Sequence, residues 1–147
     1  MKKQIEKPYN GGTWTKARMR SFAMSALRQA RWGPKYAAIR KAYVGEGINP
    51  KTGHKCQLHK CPTCEKVTAK GDMHSDHISP VIPLDHNWEN GFLGYDWNEV
   101  MRNLWCEVDG FQPICSYCHS KKSKQENIQR KQHKNDKLTS SNRLQAK

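Results

Sequence analysis

The sequence contains few apolar residues and no long apolar run. Hydrophobic residues make up 35% of its 147 residues, and the mean hydropathy is −0.97. A membrane-spanning helix needs about 20 consecutive apolar residues, so we expect no membrane span. The basic start, Met1-Lys2-Lys3, lacks the apolar segment of a signal peptide, and we therefore expect a cytoplasmic protein that is not secreted. Such a chain buries a small core and would gain from a bound metal.

Acidic residues are scarce at both ends of the chain. Residues 1–60 hold 14 Lys and Arg against 2 Asp and Glu, and residues 120–147 hold 9 against 2. Residues 61–119 hold 3 against 9, so an acidic centre lies between two basic flanks in a chain of net charge +13. Basic flanks attract phosphate backbones through counterion release, and an acidic centre repels them unless it binds a cation. This distribution predicts a nucleic-acid partner, with a merely solvated basic surface as the alternative.

Four of the six cysteines form two Cys-x-x-Cys pairs that lie far apart in the sequence, Cys61 with Cys64 and Cys115 with Cys118. In a reducing compartment such pairs hold zinc more often than they form disulfides. We therefore predict a tetrahedral structural Zn²⁺ site with one pair from each of two knuckles. Two alternatives stay open: Cys56 as a ligand, and redox-active pairs, although no thioredoxin-like βαβ pattern surrounds them.

By composition the chain divides into a basic N-terminal helical arm, a central domain and a flexible polar tail, at residues 1–60, 61–134 and 135–147. In the arm, Thr15 is the predicted N-cap of an amphipathic helix that Gly33 ends. Pro34 suits the first turn of a second helix over residues 35–44. Residues 45–60 are predicted as loop, because glycines and a proline interrupt them.

The central domain is predicted to mix strands and helices, which makes the fold class α+β. Its elements are, in order, an extended hairpin, an aromatic insertion with a short helix, a short strand and a helix, at residues 67–78, 84–108, 111–114 and 116–132. The hairpin turns near Lys70-Gly71-Asp72. Asp96 is the predicted N-cap of the helix in the insertion, and Trp97, Val100 and Leu104 fall on one face of that helix.

Two short runs carry the residues that suit catalysis. The first, residues 75–80, reads SDHISP, and the second, residues 111–119, reads FQPICSYCH. The order strand, Asp-His, loop, strand, Cys-x-x-Cys-His and helix resembles the HNH endonucleases, the ββα-metal or His-Me finger nucleases. The resemblance covers about residues 61–127. The N-terminal helices and the aromatic insertion are similar to small bacteriophage members, which would place the protein in a host cytoplasm.

The resemblance implies a ββα-metal finger that hydrolyses DNA, and it implies a role for each matching residue. His77 would be the general base that takes a proton from the attacking water. Asp76 and His119 would hold one divalent cation, Mg²⁺ or another such as Mn²⁺ or Ni²⁺, and the four cysteines would hold the zinc. A histidine of ordinary pKa near 6.5 suits a base at neutral pH. An alternative use of His119 is to replace one cysteine in a Cys₃His site.

Basic side chains on the first and last helices are the predicted DNA contacts. They are Arg18, Arg20, Arg28, Lys121, Lys122 and Lys124. The three lysines could instead form a solvated helix face.

One departure from the family pattern concerns Gly110, which stands where the family usually has an Asn that ties down the loop and orients the base. Asn103, Asp109 or backbone groups are the candidates to replace it. Asp85-His86 is a second Asp-His pair, but it lacks a strand-like lead-in. The favoured function is a metal-dependent DNA endonuclease. The alternative is a zinc-stabilised nucleic-acid-binding protein with a degenerate, non-cutting site.

Overall fold

The computed structural model describes residues 5–86 and 91–145. In this part of the chain, four α-helices combine with two small antiparallel sheets, which confirms the α+β class. The helices are α1 (Lys16–Gln29), α2 (Gly33–Lys41), α3 (Trp97–Leu104) and α4 (Ser116–Gln145). None of the helices in the described ranges has the length and apolar character that crossing a membrane requires.

The N-terminal region begins with the two predicted helices. The Thr15 hydroxyl accepts a hydrogen bond from the Arg18 amide at 3.2 Å, so the predicted N-cap of α1 is confirmed. Pro34 lies in the first turn of α2, as expected from its fixed φ and missing N–H. α2 ends at Lys41 and not at residue 44, because the chain enters strand β1 (Tyr43–Ile48).

The prediction of a loop over residues 45–60 is wrong. β1 pairs antiparallel with β2 (Lys55–Lys60), and β2 pairs with β3 (Val67–Ala69). The glycines that suggested a loop serve the sheet instead. Gly45 lies at an irregularity in the register, and a Cβ on Gly47 would come within 2.5 Å of the Leu58 side chain.

The predicted hairpin over residues 67–78 is correct in its strands and wrong in its pairing. A 3₁₀ turn, Lys70–Asp72, separates β3 from β4 (Met73–His77), and β4 pairs with β5 (Phe111–Cys115) in a second sheet. The hairpin turn of this region lies instead at the first cysteine knuckle, between β2 and β3. There the Glu65 amide donates to the Cys61 carbonyl at 2.8 Å.

The helices after β4 follow the predicted caps more closely than the predicted ends. Asp96 accepts hydrogen bonds from the amides of Asn98 and Glu99, at 3.0 and 3.2 Å, which confirms it as the N-cap of α3. α4 starts at Ser116 as expected but runs to Gln145, through the segment predicted as a polar tail. No Gly or Pro follows Pro113, so nothing in the sequence breaks this helix. Lys137 also ties it to the Asp85 carbonyl at 2.6 Å.

Two buried clusters hold these elements together. The first surrounds the cysteines, with Met73 and Ile114 from the β4–β5 sheet and Ala42 after α2. The second joins α1, the loop after β4 and α3 through Met24, Val81, Tyr95, Val100 and Leu104. α2 packs directly against β4 and β5. α2 therefore borders the strand that carries Asp76 and His77.

Candidate functional site

The two Cys-x-x-Cys pairs meet in the folded chain. The sulfur atoms of Cys61, Cys64, Cys115 and Cys118 all lie within 4.8 Å of one another, and those of Cys64 and Cys115 are 3.6 Å apart. Sulfurs around a tetrahedral zinc lie about 3.8 Å apart, given Zn–S bonds of about 2.3 Å. The predicted clustering of these cysteines is confirmed, and the four thiols are compatible with one structural Zn²⁺.

The surroundings of Cys61 in the cysteine cluster favour the ionised form of its thiol. Burial acts to raise the pKa of the Cys61 thiol, but hydrogen bonds from backbone amides of Cys115 and of the knuckle outweigh it and lower the pKa to about 6. Burial, followed by hydrogen bonds to the neighbouring thiols, raises the pKa of Cys118 to about 12. A thiolate among thiol donors is a ready ligand for a divalent cation, which binds sulfur in its ionised form.

Neither alternative ligand joins this cluster in the described part of the chain. Cys56 lies on β2 opposite Gly47, outside the group of close sulfurs. His119 follows Cys118 on α4, but its Nε2 faces Asp76 Oδ1 at 3.6 Å. The Cys-x-x-Cys-His run thus divides between two sites, with the cysteines on one and the histidine on the other.

Asp76 is held between β5 and α4. Its Oδ2 accepts hydrogen bonds from Gln112 Nε2 at 2.8 Å and from Lys122 Nζ at 2.5 Å. Its Oδ1 faces His119 Nε2, and the carboxylate is 14% exposed. A cation that lies about 2.0–2.2 Å from an oxygen and a nitrogen ligand can bridge a gap of this size. The pair therefore fits two adjacent ligands of one divalent cation, with one carboxylate oxygen available.

His77 ends β4 and reaches toward α3. Its Nε2 lies 3.0 Å from the carbonyl of Leu104, the last residue of α3, where helix carbonyls lack intrahelical partners. The ring also packs against Phe111, with centroids 4.6 Å apart. Burial lowers the pKa of His77, and the charges of Lys35 and Arg28 add to this effect. The imidazole is therefore held in place and favoured in its neutral form.

These side chains share one cavity of about 410 Å³ with the N-terminal helices. Asp76 and His77 point from β4 to different partners, as strand alternation requires, yet both border this cavity. Besides Asp76, His77 and His119, its lining includes Arg28, Trp32 and Lys35. Trp32 and Lys35 were not predicted as site residues. Their place in this cavity depends on the packing of α2 against β4, for which the sequence near these residues gives no signal. Hereafter this cavity is called the cleft.

Gly110 leaves space for a neighbour and ties the loop after His77 through its backbone. A Cβ on Gly110 would lie 2.5 Å from Cys106 Sγ and 2.7 Å from Cys106 Cβ, whereas its φ is not positive. Its carbonyl accepts from the Ile78 amide at 2.9 Å. The glycine therefore serves a close approach and not a left-handed turn.

Asn103 on α3 also restrains this loop. Its Nδ2 lies 3.4 Å from the Pro80 carbonyl and 3.3 Å from the Val81 carbonyl. Asp109, the other side chain considered for this role, is 98% exposed and lies 3.6 Å from Lys41. The loop is thus held by Asn103 and by backbone groups.

The six predicted DNA contacts do not share one environment. Arg28 borders the cleft, and Lys122 is bound to Asp76. The other four lie elsewhere: Arg18, Arg20, Lys121 and Lys124. Arg20 Nε donates to the Leu93 carbonyl at 2.6 Å, so this side chain holds the aromatic insertion. Lys121 lies over the Tyr117 ring on the exposed face of α4.

The second Asp-His pair lies in different surroundings. The His86 ring packs against Tyr95 with centroids 5.0 Å apart, and the Asp85 carbonyl accepts from Lys137. Burial lowers the pKa of His86, followed by the charges of Arg20 and Arg130. His86 does not line the cleft.

Comparison with protein-family models, with curated proteins and with solved structures gave no match to this chain.

Proposed function

We propose that this protein is a metal-dependent DNA endonuclease of the HNH type. The observation that carries the proposal is the convergence of Asp76, His77 and His119 on one cleft, with Asp76 Oδ1 and His119 Nε2 3.6 Å apart. Hydrolysis of a phosphodiester requires a base and positive charge near the phosphate. These residues supply a base and a pair of cation ligands in one place.

His77 is suited to act as the base through its Nδ1. The Leu104 carbonyl can only accept a hydrogen bond, so in the neutral ring the proton lies on Nε2, 3.0 Å away. Nδ1 is then the nitrogen with a free lone pair. It would take the proton of the attacking water as the water oxygen bonds to phosphorus and the bond between phosphorus and the 3′ oxygen breaks. The leaving 3′ oxygen would take up a proton from solvent water. The products would carry 5′-phosphate and 3′-hydroxyl ends.

Asp76 and His119 would hold the divalent cation, Mg²⁺ or another such as Mn²⁺ or Ni²⁺. A carboxylate oxygen and an imidazole nitrogen suit such ions. When bound, the cation would neutralise the charge that develops on the phosphate and on the leaving oxygen. Gln112 and Lys122 hold the other oxygen of Asp76 and so fix the direction of Oδ1.

The arrangement of elements supports a ββα-metal finger around this site. β4 and β5 pair antiparallel, and α4 begins directly after β5. Asp76 and His77 end the first strand, and His119 lies in the first turn of the helix. The four cysteines, which we propose bind zinc, would fasten the start of β3 to the junction of β5 and α4. Zinc at this position would serve folding and not chemistry.

One observation favours the alternative, a zinc-stabilised nucleic-acid-binding protein that does not cut. The Lys122 ammonium already binds Asp76 and also donates to the carbonyl of His77. A positive charge at the carboxylate opposes the arrival of a second cation. The two functions therefore differ in whether Asp76 and His119 take up a divalent ion beside Lys122.

A plasmid-nicking assay separates the two functions. Wild-type protein is expected to nick supercoiled plasmid with Mg²⁺, Mn²⁺ or Ni²⁺, to stop with EDTA and to recover when Mg²⁺ is restored. Recovery shows that EDTA removed the catalytic ion and left the fold intact. His77→Ala should slow nicking by about a hundredfold or more, the scale of a lost general base.

The matched control is His86→Ala, which removes the histidine of the second Asp-His pair. This variant should nick at the wild-type rate. If neither variant is slower than wild type, His77 is not the base. If wild-type protein binds plasmid but cuts it with none of the three metals, the non-cutting alternative is correct.

A further inference from the structure

Helices α1 and α2 contribute two basic residues to the cleft. Arg28 lies near the end of α1 and Lys35 near the start of α2, and both line the cavity that Asp76 and His77 border. Trp32, between the two helices, donates from Nε1 to the Cys106 carbonyl at 2.6 Å. This bond anchors the junction of α1 and α2 to the chain segment after α3. The helix ends that carry Arg28 and Lys35 are therefore fixed beside the cleft.

The two side chains differ from the other cations near the cleft. In the described ranges, neither the Arg28 nor the Lys35 side chain forms an ion pair or a hydrogen bond. Lys122, by contrast, is bound to Asp76, and Arg130 donates to the carbonyls of Ile82 and Pro83. Arg28 and Lys35 thus remain available to a ligand.

The charge of the cleft favours a phosphate. Among the described residues that line it, Asp76 is the single carboxylate, against the two cations Arg28 and Lys35. Lys122, outside the lining, lies between Asp76 and Glu126 and offsets part of the charge of Asp76, so the two cations outweigh the one carboxylate that faces the cavity. Cations fixed in a partly enclosed site stabilise the negative charge that builds on phosphate oxygens during hydrolysis.

Arg28 occupies a second position that Lys35 does not share. It also lines a neighbouring cavity of about 420 Å³ along α1, beside the hydroxyls of Ser21 and Ser25. Arg28 therefore lies between the two cavities, whereas Lys35 borders the cleft alone. A strand with its reacting phosphate in the cleft and its next phosphate in the second cavity would pass Arg28.

We propose that Lys35 contacts the phosphate under attack and that Arg28 contacts the adjacent phosphate of the same strand. This assignment rests on the proposed nuclease function and names two substrate-binding residues from outside the strand, loop and helix that carry Asp76, His77 and His119. It makes the N-terminal helices part of the site. It also predicts that the two residues respond differently to substrates with one phosphate and with many.

The test compares Lys35→Gln and Arg28→Gln with Arg40→Gln. Arg40 is exposed on α2 and lies outside both cavities, and its replacement by Gln removes the same charge as the other two substitutions. Bis(4-nitrophenyl) phosphate has one phosphodiester, and supercoiled plasmid has many. Lys35→Gln should slow both reactions by about tenfold or more relative to Arg40→Gln. Arg28→Gln should slow plasmid nicking in the same way but slow hydrolysis of the small substrate clearly less than Lys35→Gln does.

Each result decides the assignment. Equal rates for Lys35→Gln and Arg40→Gln on both substrates would overturn the role of Lys35. Equal losses for Arg28→Gln on both substrates would overturn its contact with the adjacent phosphate. All variants should melt at the wild-type temperature, since the replaced side chains are exposed.

A binding measurement keeps this test separate from the nuclease proposal. Trp32 and Trp105 line the cleft, so thymidylyl-thymidine bound there should change tryptophan fluorescence. Lys35→Gln should weaken that binding several-fold against Arg40→Gln. If wild-type protein cleaves nothing, the nuclease proposal fails, and this affinity alone decides the phosphate contact; equal affinities overturn it.

Discussion

The cysteine cluster and the cleft both include residues of β5 and α4, yet their polar groups have different partners. In the cluster, buried sulfurs of Cys61, Cys115 and Cys118 face one another and the backbone. In the cleft, His119 is 40% exposed, and one oxygen of Asp76 faces it without a protein donor in the described chain. A metal set closed by protein ligands stabilises a fold, whereas an open set leaves room for substrate.

One short sequence run serves two sites. Cys118 and His119 are neighbours on the first turn of α4, and successive residues of a helix point about 100° apart. One therefore faces the core and the other faces Asp76. Changes in the cluster should therefore damage folding first, and changes in the cleft should damage chemistry and leave folding intact.

The largest effect should come from opening the cysteine cluster. Cys64→Ser should reduce the free energy of unfolding by more than about 4 kcal/mol, the scale of a lost structural metal, and should lower the zinc content of the purified protein. The measurements are urea unfolding and elemental analysis, which should find one zinc per wild-type chain.

Cys56→Ser is the matched control, because Cys56 is also partly buried and lies outside the cluster. Its unfolding curve should stay close to that of wild type. Equal stability of the two variants would show that the cluster does not hold a structural metal.

The next effect should separate chemistry from folding at the open site. His119→Ala should slow plasmid nicking by about a hundredfold, because it removes one of two proposed cation ligands. Residual activity should need a much higher Mg²⁺ concentration, and the melting temperature should change little. His133→Ala, an exposed histidine on the same helix, is the control. A loss of activity with an unchanged Mg²⁺ requirement would contradict a ligand role.

A smaller effect should appear where the loop beside the cleft meets the core. Gly110→Asn introduces the residue that is usual at this place in the HNH pattern, but its Cβ would collide with Cys106. We expect a loss of about 1–3 kcal/mol of stability, typical of overpacking, measured by thermal unfolding.

Gly71→Asn is the control for this change, because a Cβ there meets nothing within 4 Å. Adding Cys106→Gly to Gly110→Asn should recover part of the lost stability. Full stability of Gly110→Asn alone would show that the close approach to Cys106 does not restrict this position.

The smallest effect should be a shift in pH dependence. Burial, followed by the charges of Lys35 and Arg28, lowers the pKa of His77 from its ordinary 6.5. The neutral ring, which would act as the base in the proposed reaction, then persists below pH 6.5, and activity should fall only at a lower pH. Lys35→Gln removes one of the lowering charges, so the acid limb of its pH–rate profile should move up toward 6.5. An acid limb above 6.5 in the wild type would contradict this sign.

Local signals in the sequence were sufficient for several elements. Thr15 and Asp96 are predictable as N-caps, because a side-chain oxygen at these positions accepts from free amides in the first turn of the helix. The spacing of the two Cys-x-x-Cys pairs predicted their meeting, since a shared metal needs both. The N-caps depend on residues a few positions apart, and the meeting of the cysteine pairs depends on the four ligands that a tetrahedral metal site needs.

Local sequence signals do not predict which distant strands pair with each other. Gly45 and Gly47 suggested a loop, but their effect depends on Leu58, which β2 places opposite them. The residues of β3 and β4 are also compatible with a hairpin in which these two strands pair with each other. In the fold, β3 pairs with β2 and β4 pairs with β5. The end of α4 was predicted too early, at about residue 132, for another reason. The residues beyond that point are polar and lack the periodic apolar positions that indicate an amphipathic helix.

The order of residues sets which chemical groups this protein has: four thiols at knuckle spacing, an Asp-His pair and a histidine after the last cysteine. Tertiary structure alone decided which of them meet. The packing of α2 on β4 and β5 brought Lys35 to the cleft, which Arg28 lines from α1. The end of α3 turned a backbone carbonyl toward His77. The physical reason is that a side chain's type sets what it can bind or donate, whereas its partners depend on contacts between residues far apart in the chain.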